Sequence, residues 1–144
     1  GNLQFYPTLD NIVTRNKVRN FRITKEGIAT IDFLKPVDIT MIDFNRDVIL
    51  RNTLVDVYRR KKDMPETGSG LNVNALINMQ SVWPKDPFTG TREETKDMKR
   101  LNQYEQELMN FCEEKNAKFV FYLKDQGIFQ FMVPNFIYGP FDLP

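Results

Sequence analysis

The sequence contains no histidine, and this absence excludes several kinds of chemistry. Ser-His and Cys-His catalysis use an imidazole as the general base, and many zinc sites use one as a ligand. The chain's serines are Ser69 and Ser81. A histidine-dependent active site or metal centre is therefore excluded within this chain, and we expect no metal and no cofactor.

Cysteine and long hydrophobic runs are also scarce. Cys112 is the one cysteine, so the chain cannot form an internal disulfide, which fits a reducing compartment. No apolar run reaches the ~20 residues that a membrane-spanning helix requires, so we expect no membrane insertion. The 20 basic and 19 acidic residues give a net charge of +1, which provides no overall attraction to nucleic acid or membranes.

Aromatic and β-branched residues are concentrated between residues 117 and 137, where they favour extended structure. Two apolar runs flank a turn at residues 125–127, Asp-Gln-Gly, and this pattern predicts a β-hairpin. Simple alternation places Phe119, Phe121 and Leu123 on one face of its first strand.

Short β-like runs fill the first half of the chain. They alternate apolar and polar residues and are bounded by turn signals, which predicts strands at about 20–24, 28–34, 37–42, 48–58 and 71–82. A short helix is expected near residues 8–13. Trp83 ends the last of these runs before Pro84 and is predicted to be buried, because a tryptophan in this position contributes a large apolar surface.

One long helix is predicted at about residues 92–116, where Thr91 and Glu94 match a capping box. Its apolar residues recur at helical spacing, as expected for a side packed on the core: Met98, Leu101, Leu108, Phe111 and Cys112. The predicted fold is α+β and mainly β. It is a β-sandwich flanked by one long helix and short helical segments, forming a single domain over residues 1–144.

Two motifs resemble the C-terminal autoproteolytic domain of the nucleoporin ninety-eight family. The first motif is Gly-Leu-Asn at residues 70–72, followed by Val-Trp-Pro at residues 82–84. The second is the hairpin pattern Phe-x-x-Tyr at residues 119–122, then Gly-x-Phe-x-Phe-x-Val-x-Asn-Phe at residues 127–136. The resemblance implies a β-sandwich that docks a Phe-Gly-repeat nucleoporin onto the nuclear pore scaffold by binding a β-propeller nucleoporin. That role would place the chain in the nucleus, at the pore, in support of protein and mRNA transport.

The sequence departs from this family at the cleavage site. Many members cut their own chain between Phe and Ser, after a His, whereas this chain has Asn135, Phe136 and Ile137. Isoleucine has no lone pair with which to attack a carbonyl, and an amide is not a base near neutral pH. We therefore predict a vestigial site and no enzyme activity.

Two segments are candidates for partner binding. One is a basic run in a loop: Arg59, Arg60, Lys61 and Lys62. The other is the tail after Phe136, whose apolar residues are Tyr138, Phe141 and Leu143. We predict that the tail folds back into a groove in its own chain and keeps a second chain out. A frayed end is the alternative, since terminal residues are commonly loose.

Two other functions remain as alternatives. An active self-cleaving peptidase would follow if the substitutions at residues 135 and 137 were tolerated. A nucleic-acid-binding module has some support from the basic run beside Tyr58, because single-strand binders combine positive charge with stacking aromatics. The near-neutral net charge favours protein binding over direct contact with nucleic acid.

Overall fold

The chain forms nine strands in two antiparallel sheets, with residues 2–144 described in a computed structural model. The strands are β1 Gln4–Tyr6, β2 Arg22–Lys25, β3 Ala29–Phe33, β4 Val48–Arg51, β5 Leu54–Val57, β6 Ala75–Met79, β7 Lys118–Leu123, β8 Ile128–Val133 and β9 Phe141–Asp142. The α-helices are α1 Phe44–Asp47 and α2 Met98–Glu114, and 3-10 turns lie at Leu9–Asn11 and Lys61–Asp63. The predicted α+β, mainly β class is confirmed.

The larger sheet has the strand order β1-β2-β3-β6-β8-β7, and the smaller has the order β4-β5-β9. Strands β7 and β8 form the predicted hairpin, whose turn uses Gly127 at a φ of 66°. Glycine adopts this left-handed conformation without the steric cost that a Cβ imposes. The hairpin prediction is therefore confirmed.

The core lies on one side of the six-stranded sheet, where the smaller sheet and α2 both pack. Phe131 in β8 contacts Phe111 of α2 and Phe141 of β9, with ring centroids 6.1 and 5.6 Å apart. Phe129, Phe131 and Val133 are all fully buried, as strict alternation along β8 requires. We call this side the inner face and the opposite side the outer face.

The helix α2 is shorter than its sequence pattern suggested. It begins at Met98, because the Asp97 carboxylate caps it by accepting from the N–H groups of Lys99 and Arg100. The prediction of a capping box at Thr91 and Glu94 was wrong, since both residues lie in the loop that precedes the helix. Met98 is exposed and not part of the buried side, which is formed by Leu101, Tyr104, Leu108, Phe111 and Cys112.

Three smaller predictions in the first half were wrong. Residues 37–42 form a loop that meets Val18 through one isolated bridge, because no neighbouring strand continues the ladder. The run 48–58 is two strands, since Thr53 turns the chain at a φ of 63°. Near residues 8–13 a 3-10 turn replaces the short helix, and Val13 is exposed.

A bulge in β7 changes which side chains share a face. Phe119 is paired with Phe131, but the next pair is Phe121 with Gln130, so one extra residue lies between them. This irregularity turns Phe121 to the outer face and Tyr122 to the inner face. Phe119 and Phe121 were predicted to lie on one face, and the bulge puts them on opposite faces.

Candidate functional site

Residues 135–137, which the sequence predicts to be a vestigial cleavage site, follow directly from β8. Phe136 is fully buried and lies 6.0 Å from Phe33, measured between ring centroids. The amide oxygen of Asn135 accepts from the N–H of Ile137 at 3.0 Å, so it closes a local turn. Ile137 is 52% exposed and presents only hydrocarbon. The segment keeps an ordered backbone, but these two side chains supply neither a nucleophile nor a base.

Asn72 connects the first sequence motif to this segment. It is buried, its Oδ1 accepts from the N–H of Phe136 at 2.8 Å, and its Nδ2 donates to the Pro65 carbonyl at 3.0 Å. A buried amide with both ends hydrogen-bonded fixes the chain on either side of it. The Gly-Leu-Asn motif therefore positions the backbone of residue 136.

A second contact joins the same two motifs. The hydroxyl of Tyr122 donates to the Val82 carbonyl at 2.7 Å, and the turn residue Gly127 packs against Trp83. A Cβ built on Gly127 would lie only 2.6 Å from the indole ring, so the contact excludes any side chain. Trp83 is 8% exposed, which confirms that it belongs to the core.

The tail is docked in its own chain. Strand β9 pairs with β5, matching Phe141 with Val55, and the N–H of Leu143 donates to the Thr53 carbonyl at 3.0 Å. Phe141 and Leu143 are buried, whereas Tyr138 is 47% exposed. The tail therefore fills a groove along β5 with two of its three apolar residues, and it is not frayed.

Arg92 holds the end of this tail, a role that sequence reasoning missed by placing it in a helix. Its Nη1 donates to the main-chain oxygens of Trp83 and Pro144 at 3.0 and 2.8 Å, and its Nη2 donates to the Leu143 oxygen at 3.0 Å. The hydroxyl of Tyr104 also donates to the Pro144 oxygen, at 2.9 Å. The five N–H donors of an arginine suit it to bind several carbonyls at once, but no local pattern in the sequence marks such contacts.

The basic run lies beside the tail. Lys61 pairs with Asp56 at 3.3 Å, and its Nζ would lie 3.4 Å from a Cβ built on Gly139. Arg60 pairs with Asp63 at 2.6 Å. Arg59 and Lys62 are exposed and form no ion pair within residues 2–144. The structure thus brings one end of the predicted basic patch next to residues 138–140.

Other candidate groups are committed to the core. Tyr58 is buried and its hydroxyl accepts from the N–H of Leu71, so its ring cannot stack on a base. Burial raises the pKa of the Cys112 thiol to about 12, which keeps it protonated and unreactive. Within residues 2–144 we find no group of three metal-binding side chains. In the same range, no helix combines the length and apolar character needed to span a bilayer.

Comparison with known proteins identifies similar domains. Residues 7–139 match the family model described as Nup98-96 autopeptidase S59. The chain is 30% identical over 121 residues to the nuclear pore complex protein Nup98-Nup96 of Drosophila melanogaster, which covers 83% of this chain and 6% of that protein. The chain thus corresponds to a small part of that relative.

Solved structures of nucleoporins share the fold. The C-terminal domain of the nuclear pore complex component NUP116 from Candida glabrata gives a TM-score of 0.83 at 25% identity, covering 95% of this chain and 92% of that one. A chain of the yeast heterotrimeric Nup82-Nup159-Nup116 nucleoporin complex gives a TM-score of 0.78 at 22% identity, covering 93% and 96%. At that identity the second likeness shows the fold alone.

Proposed function

The chain belongs to the Nup98-96 autopeptidase S59 family of nucleoporins, and from that premise we propose that it is a docking domain that no longer cuts its own chain. Membership in this family confirms the predicted nucleoporin identity and the location at the nuclear pore complex. The docking role, its partner and the loss of cleavage are the parts that we propose.

The observation that carries the proposal is that the backbone around Phe136 is firmly held, whereas the side chains at residues 135 and 137 cannot act as base or nucleophile. Phe136 is buried and its N–H is bound by Asn72, so the segment around the family's cleavage position is firmly held. The flanking side chains are nevertheless an amide and a hydrocarbon. A domain that keeps this frame without the reacting groups can still serve as a binding surface for another protein, and we propose that this is its use.

We propose that the partner is a β-propeller nucleoporin. A chain of similar fold was solved within the yeast heterotrimeric Nup82-Nup159-Nup116 nucleoporin complex. In this chain, exposed side chains could form the surface for such an assembly. That surface, which we call the basic edge, consists of Arg59, Lys62 and the half-exposed Tyr138. The unpaired guanidinium and ammonium groups favour an acidic partner surface because opposite charges steer association, and Tyr138 adds an aromatic side chain of the kind that is enriched at interfaces.

In this proposal the buried tail residues do not contact the partner. Phe141 and Leu143 fill the groove along β5, and the tail acts there as a tethered strand that keeps a second chain out. The domain would anchor a Phe-Gly-repeat polypeptide at the pore and so support the transport of protein and mRNA.

A binding experiment tests this role. The tagged domain is incubated with nuclear-envelope extract, and retained proteins are identified by mass spectrometry. We expect a propeller-type nucleoporin to be retained, and we expect the double variant Arg59→Glu/Lys62→Glu to lose it. Lys17→Glu is the matched control, because Lys17 is also an exposed lysine without an ion pair in residues 2–144. Retention of no nucleoporin at all would contradict the docking role.

A further inference from the structure

The outer face of the six-stranded sheet has two unlike halves. On β2 and β3 it is polar, and its groups satisfy one another: Arg22 binds Asp32 at 2.6 Å, and the hydroxyls of Thr24 and Thr30 lie 2.8 Å apart. On β6, β8 and β7 the outward residues are mostly apolar. We call this second half the outer apolar face, formed by Leu76, Phe121, Leu123, Ile128 and Met132.

The register defines how these residues lie relative to one another. Met132 of β8 pairs with Leu76 of β6 on one side and with Lys118 of β7 on the other. Paired residues project from the same face of a sheet, so the three side chains form one row that ends at the sheet's edge. Antiparallel sheets with one free face normally turn polar residues outward. Leu76 and Met132 nevertheless lie side by side on this free face, and a partner that covers them would explain their position.

Two polar groups at the end of this row have no partner within residues 2–144. Lys118 is exposed and forms no ion pair there. The Oδ1 atom of Asn74 is enclosed and accepts no hydrogen bond. By contrast, Asn78 and Gln130 in the next row bind each other at 3.4 Å. The unpaired charge and the unpaired acceptor thus occur at the same end of the face.

Both groups line one surface cleft. The cleft encloses about 500 Å³ at the ends of β6 and β8 and the start of β7. Its walls are Asn74, Asn116, Ala117, Lys118, Met132, Val133 and Pro134. Pro134 has no N–H that could donate to Asn74, and no carboxylate lines the cleft to neutralise Lys118. The cleft therefore holds one positive charge, that of Lys118, with no negative charge beside it in its lining.

We propose that this cleft and the outer apolar face bind an extended segment of a partner protein in which an apolar residue stands next to an acidic one. The apolar side chain packs on Leu76 and Met132, and the carboxylate pairs with Lys118. The acidic requirement follows from charge complementarity, because Lys118 is the only charged residue in the cleft's lining.

The inference rests on the docking role only in expecting a protein partner, and it concerns a surface other than the basic edge. A displayed library of random twelve-residue peptides is selected on the whole domain. We expect enriched peptides to combine an apolar residue with Asp or Glu. A fluorescein-labelled peptide of the enriched sequence is then titrated against variants by fluorescence polarisation.

Lys118→Glu should weaken binding of this peptide at least tenfold, and so should Met132→Thr, while Lys17→Glu should leave it unchanged. Lys118 is exposed, so its variant should fold normally, and this keeps the test valid if Met132→Thr destabilises the domain. A peptide with its acidic residue changed to lysine should bind Lys118→Glu better than the parent domain. Absence of enriched peptides, or binding insensitive to Lys118→Glu, overturns the proposal. Nucleoporin retention that depends only on Arg59 and Lys62 would leave the docking role standing without it.

Discussion

The segment proposed to be a vestigial cleavage site and the tail that follows it are neighbours in sequence and are held in different ways. The segment at residues 135–137 is fixed by one buried side chain, Phe136, and by one hydrogen bond from its N–H to Asn72. The tail at residues 138–144 is held by strand pairing with β5, by two buried side chains and by Arg92. The first is a covalent continuation of a central strand, whereas the second adds a strand to a sheet edge.

Because of this difference we call residues 135–137 part of the framework, and we call the tail the occupant of the groove along β5. Contacts of the segment belong to the core and cannot exchange, because β8 is hydrogen-bonded on both sides. Contacts of the tail are of the kind that a separate peptide could make, since main-chain pairing at an edge is a common mode of peptide binding. In our proposal the framework no longer carries the family's chemistry, while the groove beside it is filled by the tail.

Removing the tail should have the largest effect. Truncation after Phe136 exposes the groove that Phe141 and Leu143 fill, and burying two such side chains contributes ~3–6 kcal/mol. We expect a loss of that order in the free energy of unfolding, measured by urea denaturation. A labelled peptide spanning residues 138–144 should bind the truncated domain and not the full chain. Tyr138→Ala in the full chain is the control and should change stability by less than about 0.5 kcal/mol. An unchanged free energy of unfolding after truncation would mean that the tail in its groove does not stabilise the domain.

Trp83→Ala should weaken the framework and leave the tail's contacts in place. The indole is buried against Gly127, so its removal should lower the free energy of unfolding by ~3–5 kcal/mol. The denaturant midpoint measures the change, and intrinsic fluorescence of the parent chain should report a buried indole. A variant with the same midpoint as the parent would place Trp83 outside the framework.

Asn72→Ala should have a smaller effect, because it leaves the N–H of Phe136 buried without an acceptor. The expected loss in unfolding free energy is ~1–3 kcal/mol, the cost of an unsatisfied buried group. Asn135→Ala is a matched amide deletion at an exposed turn and should cost less than about 0.5 kcal/mol. Equal losses of stability in the two variants would contradict the claim that Asn72 connects the first motif to the segment at Phe136.

Restoring one reacting group should have the smallest effect. The unaltered chain should keep its full mass for several days at neutral pH, and Ile137→Ser should do the same because no base is present. Only the double variant Asn135→His/Ile137→Ser carries both side chains that the resemblance implies for a cleaving member. Intact-mass spectrometry would detect loss of the residues after Phe136. Cleavage of the unaltered chain would refute the assignment of a vestigial site.

Candidate-site residues could be predicted where the chemistry belongs to a single side chain. Ile137 has no nucleophilic atom in any fold, so the sequence alone shows that this side chain cannot attack a carbonyl. Arg92 could not be found in this way, because its role depends on carbonyls about fifty residues away in sequence. Its position after Thr91 matched a helix start, and only the contacts with the tail show otherwise.

The sequence by itself determined the hairpin of β7 and β8, the burial of Trp83 and the side-chain chemistry at residues 135 and 137. These features depend on local alternation, on one turn glycine and on side-chain chemistry. Only the tertiary structure decided the bulge in β7, the split of residues 48–58 and the docking of the tail. Each of these depends on which distant backbone groups are available for hydrogen bonding, and a linear pattern does not contain that information.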